Sequence, residues 1–222
     1  MSSANEIPSA PARPRKEEKL FLIIVLALAA VAGIGSWFIA AALAHRDQVH
    51  GILPDRPRRL IDFSLTDSGG GTVTRADLEG KILVVSFLFT SCSLTCPEVS
   101  RRMAEIQRLT TGESDVRLLS LTVDPRTDTP PELARWGAQF DVNTNHWLLL
   151  TGNEKAVHSL IGDSFLKTDA DNPFNSMPGN FTGTENIAVV DKHGRTRLFF
   201  DGLNDQTPAA VVKEINRLRA EK

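Results

Sequence analysis

The chain has 222 residues, enough for one ordinary domain plus an appendage, and its 41% apolar content excludes collagenous, low-complexity and disordered classes. Lys and Arg total 25 against 27 Asp and Glu, a net charge of -2, so no basic field exists to hold nucleic acid by counterion release. Only two cysteines occur, which rules out a disulfide-stapled mini-fold and any four-cysteine metal site, yet they stand together as C-x3-C.

Residues 1–19, rich in Ser, Pro, Ala and charge, read as a disordered cytoplasmic tail. Residues 20–44 (LFLIIVLALAAVAGIGSWFIAAALA) contain no Asp, Glu, Lys or Arg; as a helix they would span about 37 Å against about 30 Å of hydrocarbon. A transmembrane anchor is expected. The alternative is a cleaved signal peptide ending at the A-x-A of Ala42-Leu43-Ala44, although the apolar run exceeds the usual length of such a signal. Arg13, Arg15, Lys16 and Lys19 before the run balance Arg46, Arg56, Arg58 and Arg59 after it. The upstream group sits closer to the membrane, so the tail is expected inside and the C-terminal domain extracytoplasmic. Residues 45–59 read as a tether, and residues 60–222 as the domain.

Within the domain, residues 62–66 alternate into the Gly-rich turn 67–71 and a return strand at 72–74, an opening hairpin. Residues 82–89 (ILVVSFLF) are a nearly unbroken apolar run, as a strand buried on both faces requires, and form the expected central strand. Val99, Met103, Ile106 and Leu109 then recur at helical spacing up to Gly112. A second strand spans 116–124. Thr129-Pro130-Pro131-Glu132 supplies a capping box and a helix to about residue 140, and strand 146–150 leads to a second capping box, Thr151 to Glu154, with a helix to about 161. The polar stretch 167–184 is too long for a simple connector. Strands 187–190 and 196–200 flank a turn whose Gly194 needs a positive φ, and a last helix starts at Thr207-Pro208 with Val211, Val212, Ile215 and Leu218 inward. Alternating strands and helices imply right-handed parallel crossovers, with the closing hairpin as an antiparallel edge. The expected fold is a thioredoxin-like α/β sandwich behind an N-terminal transmembrane helix.

Cys92 and Cys96 lie in Ser91-Cys92-Ser93-Leu94-Thr95-Cys96-Pro97, where the apolar strand turns into a helix that Pro97 helps to open. A helix N-terminus offers free N–H groups and the positive end of the dipole, which stabilise a thiolate. Residues four apart on a helical turn have Cα atoms about 6 Å apart, within reach of a reversible disulfide. Two facing thiolates are also a soft site that selects copper(I). Cys92, nearer the exposed turn, is the expected attacking thiol and Cys96 the resolving one.

The segments FLFTSCSLTCPEVSRRM (87–103), LTVDPRTDTPPELARWGAQF (121–140) and WLLLTGNEKAVHSLI (147–161) resemble the SCO (SenC) family, membrane-anchored thioredoxin-like proteins associated with cytochrome c oxidase assembly. The resemblance covers roughly residues 60 to 218, and its Asp-Pro-x-x-Asp-Thr-Pro signature is specific. It implies that Cys92 and Cys96 bind copper together with a distant His, and cycle between dithiol and disulfide. It also implies that the partner is a cytochrome c oxidase subunit or another copper or thiol protein. Counting back from Asp191, the family histidine falls at Gly183, and no His stands there. The five histidines are His45 and His50 in the tether, His146 opening a strand, His158 in a helix and His193 in a turn. Each reads as an ordinary structural or surface residue. Met177, a soft thioether in the long polar stretch, is the remaining candidate third ligand, with Glu185 beside the family position.

Asp124 and Asp128, carried by the same signature, are candidates to support the cysteines at the strands' C-terminal ends, where ligands collect in open α/β sheets. Equally, Asp124-Pro125 suits a turn and Asp128-Thr129-Pro130 a helix start. Three functions fit this pattern: an extracytoplasmic thiol-disulfide oxidoreductase needing only Cys92 and Cys96, a copper chaperone for the oxidase's binuclear copper centre, and a non-catalytic redox-sensing assembly factor. Where copper is bound, copper(I) is the favoured ion.

Overall fold

The computed structural model describes residues 51–54, 58–165 and 184–221, together with residues 24, 26, 28–31 and 33–36. The expected tail, most of the anchor, His45, His50, Met177 and Gly183 lie outside the described residues. The chain divides into two units, Met1–Gln48 and Val49–Lys222. In the first, the described residues are helical and Ile24, Leu26, Leu28, Val31 and Ile34 expose their side chains. Among the described residues, no helix is long and apolar enough to cross a membrane.

In the second unit the elements run β1 (Arg58–Arg59), β2 (Ser64–Asp67), β3 (Thr72–Thr74), β4 (Ile82–Leu88), α1 (Thr95–Leu109), β5 (Val116–Thr122), α2 (Pro130–Ala138), β6 (Trp147–Thr151), α3 (Glu154–Phe165), β7 (Asn186–Val190), β8 (Arg195–Asp201) and α4 (Thr207–Ala220). The strands form one sheet in the order β1-β8-β7-β4-β5-β6-β2-β3. β4, β5 and β6 are parallel, while β7 runs antiparallel to β4 and β8 to β7. β4 is central, and all seven of its residues are buried.

That burial follows from the two-residue period of a strand, which sends neighbouring side chains to opposite faces. Ile82, Val84 and Leu88 pack with Leu118, Trp147 and Leu149 under α1, α2 and α4. Leu83, Val85 and Phe87 pack with Leu119, Leu121 and Leu150 under α3. Helices therefore cover both faces of the sheet. A buried polar seam interrupts the first face: Ser86 Oγ and Ser120 Oγ are 2.7 Å apart, and Trp147 Nε1 donates to Ser120 Oγ at 2.9 Å.

Three local expectations are corrected. The segment expected to be a tether enters the sheet: Ile52 and Phe199 exchange backbone hydrogen bonds at 2.7 and 2.9 Å, and Arg58 and Arg59 pair with Thr196 and Arg195. These residues show no alternation of side chains; they complete the free backbone edge of β8, a role open to any residue with a free N–H. Neither capping box forms as expected. Thr129 makes no side-chain cap, and its carbonyl instead accepts the Leu133 N–H at 2.9 Å. Thr151 belongs to β6, and Asn153 Oδ1 accepts the Ala156 N–H at 3.3 Å to start α3. α3 also runs on to Phe165, because Phe165 packs into the core beside Phe87, ring centroids 5.4 Å apart. Gly194 has φ +73°, as its hairpin turn requires.

Replacing Ser120 with Ala leaves the buried indole N–H of Trp147 without its acceptor. The expected cost is about 1–3 kcal/mol, read as a lower urea midpoint at unchanged slope.

Candidate functional site

The site begins where β4 ends. Cys92 N–H donates to the Phe89 carbonyl at 3.0 Å, which closes a turn and aims the chain into α1. Leu94 is the residue before the helix, and no side chain of its own caps the helix. Pro97, in the first turn, has no N–H to offer. The Cys96 N–H is thus a free donor at the positive end of the helix, and Cys92 Sγ accepts it at 3.2 Å. The cysteine sulfur takes the place that a Ser or Asp oxygen normally holds at a helix start.

This geometry separates the two thiols, both of which are free. Burial would push the Cys92 thiol up. The hydrogen bonds from the Cys96 thiol, the Thr95 hydroxyl and the Cys96 and Leu94 amides outweigh burial and bring Cys92 down to about 7. Burial pushes Cys96 up to about 12, helped by its hydrogen bond to Cys92 and by the charge there. Cys96 is 0% exposed and packs in the core beside Val99 and Met103, while Cys92 is half-buried. Ser91, Ser93 and Leu94 are exposed around it, Leu94 to 83%. One sulfur is presented and ionised near neutrality; the other is held protonated beneath it.

Asp128 supports this corner from below. It is fully buried and its carboxylate accepts the Thr90 N–H at 3.0 and 3.2 Å, the Thr90 hydroxyl at 2.5 Å and the Thr122 hydroxyl. The ends of β4 and β5 are thereby clamped two residues before Cys92. Asp124 serves the turn instead: its carbonyl accepts the Thr127 and Asp128 N–H groups at 3.2 and 2.9 Å. Asp128 thus ties the two strand ends together just before the start of α2, while Asp124 lies in the turn that its carbonyl closes.

The structure brings in two residues with no assigned part in the sequence reading. Thr95 Oγ1 lies 3.5 Å from Cys92 Sγ and 3.4 Å from Thr184 Oγ1. Thr184 is buried just before β7, so its side-chain hydroxyl meets the cysteine loop from the strand beside β4. Thr95 stood inside the motif, and only its hydroxyl among apolar neighbours hinted at a role. No sequence signal pointed to Thr184, whose partner is 89 residues away.

The described histidines stand apart from the pair. His146 is buried and its Nε2 lies 2.9 Å from Thr110 Oγ1; burial, with the Arg117 charge, lowers its pKa. His158 is half-buried on α3, and His193 is exposed in the β7–β8 turn. Among the described residues, no group of three His, Cys, Asp or Glu side chains is placed to hold a metal.

A central parallel strand running through a dithiol turn into a helix, with helices over both faces, defines a thioredoxin-like dithiol protein. The SCO1/SenC family model matches residues 54–220. The chain belongs to the SCO1/SenC family. A SCO1 protein homologue of Bacillus subtilis is 32% identical over 91 residues, which are 40% of this chain and 47% of that protein, so the chain spans about half the length of this curated relative. The structure of Bradyrhizobium japonicum ScoI with copper bound is 25% identical, with a TM-score of 0.56 over 71% of this chain and 98% of that one. BsSco, in which a disulfide switch was identified and which is described as a member of the Sco family of cytochrome c oxidase assembly proteins, has the same fold at 20% identity. Its TM-score is 0.62 over 79% of this chain and 99% of that one.

The rate of Cys92 alkylation by iodoacetamide should rise with pH, reach half its maximum near pH 7 and level off above it, because only the thiolate attacks. Cys96 should stay unlabelled in the folded protein across that range, as peptide mass mapping will show.

Proposed function

We propose that this chain is a membrane-tethered, extracytoplasmic Sco protein whose Cys92 and Cys96 reduce a disulfide in a partner of cytochrome c oxidase copper-centre assembly. The observation that carries this reading is the sulfur of Cys92 seated on the Cys96 N–H at 3.2 Å, presented and charged near neutral pH. The Cys92 thiolate attacks one sulfur of the partner disulfide, the partner's S–S bond breaks, and its second sulfur leaves and takes up a proton. The Cys96 thiol gives up its proton and attacks Cys92 Sγ, which closes the Cys92–Cys96 bond and releases the partner's first sulfur. Two electrons pass to the partner; one proton comes from Cys96 and the other from solvent, and the partner's cysteines end reduced and able to receive copper.

Residues 20–44 serve as the anchor, supported by a largely apolar run without Asp, Glu, Lys or Arg and by helical described residues with exposed apolar side chains. An extracytoplasmic position suits a reversible disulfide. The partner is a cytochrome c oxidase subunit or another copper or thiol protein, a reading supported by the description of BsSco as one of the cytochrome c oxidase assembly proteins.

A second reading, delivery of copper as cargo, is favoured by the donor set. Two convergent sulfurs fit copper(I), which accepts few soft ligands, whereas copper(II) prefers nitrogen or oxygen in a tetragonal set. Cys92 and Cys96 would hold the ion, and loading would displace the Cys96 proton. Met177 is the candidate third donor.

Mixing the reduced full-length protein with a peptide carrying a two-cysteine disulfide tests the first reading. With Cys96→Ser the peptide should remain covalently attached at Cys92, and with Cys92→Ser no adduct should form. An adduct at Cys96 or none at all refutes the assignment. For the second reading, the reduced protein should take up one copper(I) and bind copper(II) weakly. Gly183→His should strengthen copper(II) binding by at least about tenfold, as expected when an imidazole joins two thiolates, with the change followed by the thiolate-to-copper absorption.

A further inference from the structure

Thr95 occupies the first residue of α1, one position past the place where a hydroxyl caps a helix. Its oxygen lies 3.5 Å from Cys92 Sγ on one side and 3.4 Å from Thr184 Oγ1 on the other. Thr184 is 5% exposed, so its hydroxyl has little access to water. A hydroxyl has one proton to donate and two lone pairs to accept with. Arranged in series, Thr184 donates to Thr95 and Thr95 donates to Cys92, and each proton has an acceptor.

We propose that Thr95 is a positioning residue for the cysteine pair, holding Cys92 Sγ over the helix start with its hydroxyl, and that Thr184 fixes the direction of that hydroxyl from the β7 side. The proposal rests on Cys92 being the reactive thiol. The reduced sulfur accepts from two directions, the Cys96 N–H along the helix and the Thr95 O–H across it. A disulfide sulfur is a poorer acceptor, so the Thr95 bond favours the dithiol over the disulfide. The same bond joins the cysteine loop to the chain entering β7, which the sheet places beside β4. Gly202 locks that corner: its N–H donates to the Glu185 carbonyl at 2.6 Å, and an added Cβ would lie 2.7 Å from that oxygen. Thr184 thus stands next to a backbone position that is held tightly.

The test equilibrates the full-length protein and its variants with glutathione buffers and reads the dithiol-to-disulfide ratio. Thr95→Val should shift the equilibrium toward the disulfide about tenfold, a potential about 30 mV more negative. Thr95→Ser, which keeps the hydroxyl, should stay within about twofold of the unmodified protein. Thr184→Val should move it about threefold the same way. The melting temperature of the oxidised Thr95→Val protein should be unchanged, which separates positioning from general destabilisation. An unmoved ratio in Thr95→Val, or an equal shift in Thr95→Ser, overturns the proposal, and an inert Thr184→Val overturns the part given to Thr184. Because these ratios are read without any partner protein, a failure of the oxidoreductase reading would show in peptide trapping and leave them intact.

Discussion

The hydrogen bond from the Cys96 N–H to Cys92 Sγ is the interaction on which the chemistry of this protein depends. A helix start must satisfy its free amides, and this one has neither a capping side chain before it nor an N–H at Pro97. The backbone's need for an acceptor and the sulfur's need for a donor are met by one contact. That contact also makes the pair unequal, since Cys92 accepts at the mouth while Cys96, four residues on, turns into the core with Met103 and Val99. Two identical side chains acquire opposite tendencies because a helical turn carries one outward and the other inward.

Such a contact needs a rigid frame. β4 supplies it by being buried on both faces and paired on both edges, with β5 on one side and β7 on the other. Asp128 then ties the last residues of β4 and β5 together through two threonines. A buried carboxylate with several donors around it is satisfied, and its network is directional in a way that apolar packing is not. The cysteine turn starts from a clamped strand end and finishes on a helix whose inner face is packed under the sheet.

The wider fold distributes its polar groups by the same rule. Ser86, Ser120 and Trp147 form a satisfied seam across three strands, and Trp136 Nε1 donates to Ser100 Oγ at 3.1 Å where α1 meets α2. In the β7–β8 turn Asp191 accepts the His193 and Arg195 amides at 2.9 Å and the Arg197 guanidinium at 3.1 Å. These hydrogen bonds lower its pKa although burial alone would raise it.

The sequence by itself determined two of the sheet's strands, expected at 82–89 and 116–124 and found at 82–88 and 116–122, the helix through Met103 and Ile106, the closing hairpin with Gly194, and the placing of Cys92 and Cys96 at a helix start, because each is written in local spacing or in a single conformational need. Local signals misled where an alternative lay within a few residues: Asn153 rather than Thr151 starts α3, and the backbone edge of β8 recruits Ile52 and Arg58 without regard to their side chains. Only the tertiary structure decided that the Asp128 carboxylate reaches Thr90, two residues before Cys92, and that Thr184 meets Thr95 across 89 residues of chain. Those contacts depend on which strands lie side by side and on where their ends fall. That order is set by crossovers and sheet pairing, and no spacing along the chain records it.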